Sequence, residues 1–209
     1  MQIDQFVMAY KVEQDRLRAM LPNGYESLRP VLRINVEIRK QPPVSLGSNG
    51  KETVYIELNT PVEAFGKRGW LNIANWDSTR TDISYKRHGA SVTFDCKFLQ
   101  ITYTGVGVKG GCPAEKDNDG CFFIRDNVSF VPVEHIDQNK EFCDCEFRWK
   151  FSDGNAHGIS VGGKSVPAKP TPPEKHYERQ PLSADVAADI SCEQILGSYK
   201  VCFERKMLI

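Results

Sequence analysis

A carboxylate in the middle of a predicted strand is the clearest candidate for chemistry in this sequence. Glu57 lies between Ile56 and Leu58, so it shares one strand face with Tyr55 and Asn59. If that face is solvated, these three are surface groups. If it lines a ligand cavity, the carboxylate could act as a general acid or base with a raised pKa, or bind a cation. Both interpretations are open from the residues alone.

One segment matches the sequence pattern of a phosphate-binding loop but lacks the structural context that such a loop needs. Residues 158–165 match the pattern G-x-x-x-x-G-K-[ST]. That chemistry requires a strand before the loop and a helix after it, so that backbone amides and the helix dipole meet the phosphates. Four prolines follow at once and forbid the helix: Pro167, Pro170, Pro172 and Pro173. We expect no nucleotide site here.

Cysteines offer a second candidate site. Cys112, Cys121, Cys143 and Cys145 could supply four zinc ligands. Cys143 and Cys145, however, occupy the apolar face of a predicted strand, where cysteine behaves as a small hydrophobe, and the short C-x2-C spacing is absent. We expect no metal and no cofactor. Seven cysteines without any export signal predict mostly free thiols in the cytoplasm; a Cys112–Cys121 disulfide is conceivable, but a reducing compartment argues against it.

Length and charge exclude several classes of protein. The 209 residues suit one domain spanning residues 1–209. Twenty-seven basic and 27 acidic residues give no net charge, which argues against a nucleic-acid partner. No apolar run approaches the roughly 20 residues that span a bilayer, so no membrane partner is expected. The expected partner is a small-molecule ligand, and we expect a homo-oligomer.

The elements that must position these side chains are mostly strands. A helix is predicted over residues 12–21 and ends at Pro22. Alternating apolar and polar residues predict strands over residues 32–39, 54–59, 70–76, 91–104, 121–131 and 142–151, with a final strand within 183–207 or a helix near 186–196. Near Phe98 the apolar residues shift from even-numbered to odd-numbered positions, which predicts a bulge or bend there. Consecutive strands without regular helices between them indicate an antiparallel sheet or barrel.

Several segments, in order, resemble the acetoacetate decarboxylase-like family. They are Phe6-Val-Met-Ala-Tyr10 followed by the helix and Pro22, then Pro30-Val-Leu-Arg33-Ile-Asn-Val-Glu37-Ile, then Val54-Tyr55-Ile56-Glu57 with Pro61-Val62 and Gly69-Trp70-Leu71, and finally Leu182 to Glu204. The resemblance covers most of the chain. It implies a β-rich α+β fold, an antiparallel β-cone or barrel with short peripheral helices.

The resemblance also implies a site. The type enzyme of the family decarboxylates acetoacetate through a lysine Schiff base, a case that the field uses to illustrate a lysine activated beside another cation. Glu57 matches the family's active-site carboxylate, but the paired-lysine "P-K-K" signature is missing and Ile3 stands where a substrate-facing arginine is expected. Lys86-Arg87 is the only paired cation between Trp76 and Thr93. It could present an amine beside a fixed charge, or be a solvated basic turn.

Three functions follow as hypotheses. In the first, a small oxo-acid or carbonyl compound binds beside Glu57, and Glu57 acts as the acid or base. Lys86 is then the amine, and Arg87 is its cationic neighbour. Tyr55, Asn59 and Arg33 are then the ligand-binding residues. In the second, the same pocket binds a small ligand without chemistry; in the third, an oligomeric scaffold keeps only a vestigial pocket. The first two require that the polar side of the second hairpin faces an enclosed space.

Overall fold

The structure is a computed structural model that describes residues 1–42, 50–109, 121–123, 130–132, 136, 138–151, 156–159 and 177–206. Strands dominate, as the alternating pattern predicts. The elements are β1 (Gln2–Lys11), α1 (Gln14–Met20), β2 (Tyr25–Ser27), β3 (Val31–Lys40), β4 (Glu52–Ala64), β5 (Lys67–Asp77), β6 (Ile83–His88), β7 (Ser91–Cys96), β8 (Leu99–Lys109), β9 (Cys121–Phe123), β10 (Phe130–Pro132), β11 (Glu141–Trp149), β12 (Ala156–Ile159), α2 (Ala184–Ala188) and β13 (Gln194–Glu204).

All of these strands belong to one sheet. Its order is β10-β9-β5-β4-β3-β1-β13-β11-β8-β7-β6, with β12 beside β11 and β2 beside β4. Neighbouring strands are antiparallel except β5 and β9, which are parallel. The expected β-rich antiparallel fold with short helices is therefore confirmed. The hydrogen-bonded path is open over the described residues, so the sheet is a strongly curled one and not a closed barrel.

The sheet curls around one large apolar cluster, and we call the side that carries it the core face. Alternation along each strand sends every second residue to this side, for example Ile34 and Val36 of β3 and Ile56 and Leu58 of β4, all fully or almost fully buried. Aromatic rings fill its centre: the Phe6 ring centroid lies 5.3 Å from that of Phe94. The interior of the curl is thus a packed core.

The segment from Ser91 to Thr104 departs from the predicted bulged strand. It forms the hairpin β7–β8, in which Asp95 pairs with Gln100. A two-residue turn at Lys97 and Phe98 reverses the chain. Apolar residues at even-numbered positions of β7 and at odd-numbered positions of β8 therefore reach the same core face. The prediction of a bulge was wrong because a phase change is equally the signature of a tight reversal.

Other boundaries also differ from the prediction. The basic segment around Lys86 is a strand, β6, and not a turn. Within residues 121–131 the structure describes two short strands, β9 and β10, and the C-terminal segment contains both the short helix α2 and the strand β13. Of the phosphate-loop match, residues 158 and 159 lie in β12 and residues 160–165 fall outside the described residues. Among the described helices, none is long and apolar enough to cross a membrane.

Candidate functional site

Polar side chains of β3 and β4 face away from the core, and we call this side the polar face. Residues paired across an antiparallel ladder point to the same side of the sheet. The register therefore groups six residues: Arg33 with Asn59, Asn35 with Glu57, and Glu37 with Tyr55. Four of the sequence-predicted site residues, Arg33, Tyr55, Glu57 and Asn59, thus lie on one continuous patch.

Most of the polar face is removed from water, while Tyr55 and Glu57 stay partly exposed. Asn59 is 0% exposed, Glu37 3%, Asn35 5% and Arg33 6%. Alternation of this kind on an antiparallel sheet ordinarily leaves the polar side solvated. Here the same side continues onto β1 and β13 as a second apolar cluster, whose members are Ile3, Val7, Ala9, Val31, Tyr199, Val201 and Phe203. The polar groups are therefore held in a buried layer opposite the core, where their hydrogen bonds count for more than at a surface.

Glu57 is the half-buried carboxylate of this patch. Its Oε2 accepts a hydrogen bond from Nδ2 of Asn35 at 3.3 Å. Tyr55 is its second neighbour: burial, together with the charge of Glu57 and a hydrogen bond to it, raises the pKa of the Tyr55 phenol. The Arg39 guanidinium lies 3.9 Å from the centre of the Tyr55 ring. Glu57 is thus oriented by two neutral groups, the Asn35 amide and the Tyr55 phenol.

Glu37, its neighbour on the polar face, is held by charged donors. Nη1 and Nη2 of Arg205 donate to the two carboxylate oxygens at 3.0 and 2.9 Å, and Nε of Arg39 donates at 2.8 Å. Burial acts to raise the pKa of Glu37, but the hydrogen bonds and charges of the two arginines outweigh it and lower that pKa. Glu37 is therefore a fully ionised structural group.

Three buried polar atoms on the polar face and at the adjoining Trp70 have no hydrogen-bond partner: Oδ1 of Asn35, Nδ2 of Asn59 and Nε1 of Trp70. The Oδ1 atom of Asn59 is used, since it accepts from Asn72 at 3.3 Å. Trp70 is 0% exposed and its ring lies 3.8 Å from the Arg33 guanidinium. An unpaired buried polar atom costs about 1–3 kcal/mol, so the unmatched donors and acceptor mark a place where a polar ligand would gain.

The structure does not bring Lys86 and Arg87 to this patch. Arg87 pairs with Val92 in the ladder, so it projects to the core side of β6, where its Nη2 bonds Asp4 at 2.8 Å. Lys86 projects from the other side of β6 and is exposed. Six strands separate β6 from β4 along the sheet. Glu57 and Arg87 thus project from opposite faces.

The cysteines that suggested zinc do not assemble a site in the described part of the chain. No group of three or more His, Cys, Asp or Glu side chains there is placed to hold a metal ion. Cys143 and Cys145 are free thiols on β11. Burial raises the pKa of Cys143 to about 12, so this thiol is protonated at neutral pH and is not a nucleophile. Cys112 and the side chain of Cys121 lie outside the described residues.

Sequence reasoning missed three residues that shape the patch. Asn35 was available from the alternation, since it shares the outward phase of β3 with Arg33. Trp70 reaches Arg33 only because β4 and β5 shift register between Leu58 and Asn59. Arg205 comes from the far end of the chain, 168 residues from the carboxylate that it binds. No local pattern signals the last two contacts.

No family model matches the chain, and no curated protein matches it by sequence. Solved structures do match its fold. An acetoacetate decarboxylase from Legionella pneumophila superposes with a TM-score of 0.53 at 15% identity, over 97% of this chain and 81% of that one. An acetoacetate decarboxylase-like enzyme from Sphingomonas wittichii gives 0.52 at 14% identity, over 96% and 88%.

A third match is the enduracididine biosynthesis enzyme MppR in complex with pyruvate. It gives a TM-score of 0.54 at 11% identity, over 96% of this chain and 84% of that one. These likenesses show that the chain has the acetoacetate decarboxylase-like fold, through a remote relationship.

Proposed function

We propose that this protein binds a small oxo-acid or carbonyl compound against the polar face, with Glu57 as the acid–base group. The observation that carries the proposal is the set of unpaired buried atoms on the polar face and at the adjoining Trp70: one amide oxygen and two N–H donors. A structure that buries such groups without partners is stabilised by a ligand that supplies them. Pyruvate, the ligand of the structurally similar MppR, belongs to this chemical class.

The roles follow from residue chemistry. Arg33 is a permanent cation at the buried edge of the patch and suits a carboxylate, whereas Asn59 and Trp70 have N–H groups to offer a second oxygen. Glu57 and Tyr55 would face the carbonyl end, where a proton is gained or lost. Glu57 is only half-buried and can therefore be reached by a ligand, whereas Glu37 is already engaged by two arginines.

Binding without catalysis is the second candidate, and the placement of β6 favours it. Imine formation needs an unprotonated amine next to the bound carbonyl group. Lys86, the amine that the sequence selects, is exposed on β6, and Arg87 is engaged with Asp4 on the other side of the strand. The polar face would then orient a ligand without forming a bond to it.

Borohydride trapping separates the two candidates. The protein is incubated with pyruvate or acetoacetate, reduced, and digested for mass spectrometry. An adduct on Lys86 that is lost in Lys86→Arg supports an imine mechanism. Absence of an adduct on every lysine, with several oxo-acids, removes that mechanism and leaves the binding function.

Calorimetric titration with pyruvate tests the site itself. We expect saturable binding of pyruvate to the wild-type protein at neutral pH, because Glu57 and its neighbours offer polar groups to the carbonyl end. Glu57→Gln should change the affinity, whereas Glu63→Gln, an exposed carboxylate on the same strand, should leave it unchanged. Identical titrations for wild type and Glu57→Gln would remove Glu57 from the site.

We also propose a cytoplasmic, self-associating protein. Five described cysteines are free, which supports a reducing compartment. Sedimentation at several concentrations tests the self-association; a single monomeric species throughout would contradict it.

A further inference from the structure

A concave site lies on the core face, away from Glu57. It is a cavity of about 300 Å³ between β1, the β6–β7 turn, β8 and the start of β11. Its floor is apolar, since the rings of Phe6 and Tyr103 lie with their centroids 5.2 Å apart, and Val92 completes the wall. A volume of this size is at the lower end of the range for small-molecule pockets.

The floor holds a polar atom with nothing to bond. Tyr103 is 1% exposed, and its hydroxyl has no hydrogen-bond partner. A buried tyrosine hydroxyl usually finds one, because the phenol both donates and accepts. Since Tyr103 lines the cavity, a ligand inside it can supply the missing hydrogen-bond partner of the hydroxyl.

The mouth of the cavity is cationic on balance. Two of its lining residues are positively charged, Arg87 and Lys200, and one is negatively charged, Glu141. The Lys200 ammonium lies 4.0 Å from the Glu141 carboxylate, a loose pair that is partly exposed. Arg87 bonds Asp4, which also binds Lys40 at 2.7 Å, so the charge of Asp4 is shared between two cations. A guanidinium has five N–H donors, and its bond to Asp4 leaves others for a ligand.

We propose that this cavity is a second binding site that takes a small aromatic carboxylate. The ring would lie against Phe6 and Val92, and the carboxylate would meet Lys200 and Arg87 at the mouth. The Tyr103 hydroxyl would donate to the ligand or accept from it. The cavity also contains Cys143, whose protonated thiol makes covalent capture unfavourable, so the interaction is reversible binding.

The site is independent of the proposed function. Phe6 and Val92 belong to the core face, and Glu57 projects from the opposite side of the sheet. A variant of one site can therefore be measured without removing groups of the other.

Fluorine NMR with 4-fluorobenzoate tests the proposal on the full chain. We expect saturable binding that weakens about tenfold in Lys200→Gln, because a hydrogen bond to a charged group is lost, and about fivefold in Tyr103→Phe. Lys97→Gln, an exposed lysine outside the cavity, is the matched control and should bind as the wild type does. The neutral analogue 4-fluorobenzyl alcohol should bind more weakly than the acid.

A variant that blocks the mouth of the cavity tests the proposal without changing the core, so that lost binding is not confused with lost folding. Ala90 lines the mouth and is exposed, so Ala90→Trp fills the entrance without entering the core. We expect it to abolish binding while the thermal midpoint of the protein stays close to that of the wild type. Unchanged binding in Ala90→Trp, equal binding of the alcohol, no saturation at several millimolar acid, or a larger loss in Glu57→Gln than in Lys200→Gln would each overturn the proposal.

Discussion

The two faces of the β3–β4 hairpin show how one sheet can combine two kinds of buried layer. On the core face, Ile56 and Leu58 pack against other apolar groups and have no polar atoms to satisfy. On the polar face, one residue along the same strand, Glu57 meets amides and a phenol. The core face is stabilised by excluded water and close packing, and the polar face by matched charges and hydrogen bonds.

The polar face itself is divided. Glu37 accepts three hydrogen bonds from two arginines, whereas Glu57 accepts one from the Asn35 amide, whose own oxygen is unpaired. A fully matched carboxylate fixes the structure, and an incompletely matched one leaves room for a ligand. The comparison predicts effects of decreasing size on stability for loss of an apolar group, of the carboxylate that two arginines bind, and of the half-buried Glu57 carboxylate.

The largest loss of stability is expected on the core face. Ile56→Ala should lower the free energy of unfolding by about 3 kcal/mol, because it removes buried methylene groups and leaves a cavity. Denaturant unfolding measures this, with Glu63→Ala on the same strand as a control that should stay within about 0.5 kcal/mol. A loss below about 1 kcal/mol in Ile56→Ala would contradict a closely packed core face.

The next largest loss of stability is expected at Glu37, the carboxylate that two arginines bind. Glu37→Gln should cost about 2 kcal/mol, since it leaves Arg205 and Arg39 without their anion. We place the value below that of a fully buried pair because both arginine side chains are about a quarter exposed, at 28% and 24%. Glu204→Gln, an exposed carboxylate on β13, is the control in the same denaturation experiment. Equal stabilities of the two variants would show that the Glu37 cluster contributes nothing.

The same cluster should make stability depend on pH in one direction. The pKa of Glu37 in the folded protein lies below its ordinary value of 4.5, so the contribution is complete above that value and is lost as the pH falls through the folded-state pKa. The difference in unfolding free energy between wild type and Glu37→Gln should be constant near neutral pH and shrink below about pH 4.5. A difference that widens on acidification would reverse the assignment.

The smallest change is expected at Glu57. Glu57→Gln keeps the shape of the side chain and can still accept the hydrogen bond from Asn35, so we expect a change of less than about 1 kcal/mol in unfolding free energy. The variant should therefore be fully folded in the pyruvate titration. A loss as large as that of Glu37→Gln would mean that the two carboxylates have the same structural role.

Much of the architecture could be predicted from alternation. β3, β4, β5 and β11 were predicted near their observed positions, because apolar and polar residues alternate along much of each, although β5 breaks the pattern at its register shift. The hairpin at Lys97 and Phe98 could not be predicted, because a shift of the apolar residues from even to odd positions fits a bulge and a chain reversal equally well. β6 was missed because it contains adjacent basic residues and a single fully apolar one, Ile83, within its span.

The candidate site was only half predictable. Glu57, Tyr55 and Asn59 share a face by their spacing, and that spacing is the same whether water or protein covers it. Only the fold shows that Asn59 is fully buried and that Trp70 lies against Arg33. Only the fold separates Arg87 from Glu57, because ladder register decides the side of the sheet from which each residue projects.

The sequence by itself determined the strands β3, β4, β5 and β11, the antiparallel class and the composition of their faces, since these depend largely on period-two alternation within about ten residues. The tertiary structure alone decided which polar face is enclosed, which carboxylate Arg205 neutralises, and where Tyr103 lies relative to Lys200. These outcomes depend on contacts between residues far apart along the chain. The curl of the sheet sets them, and no local pattern encodes it.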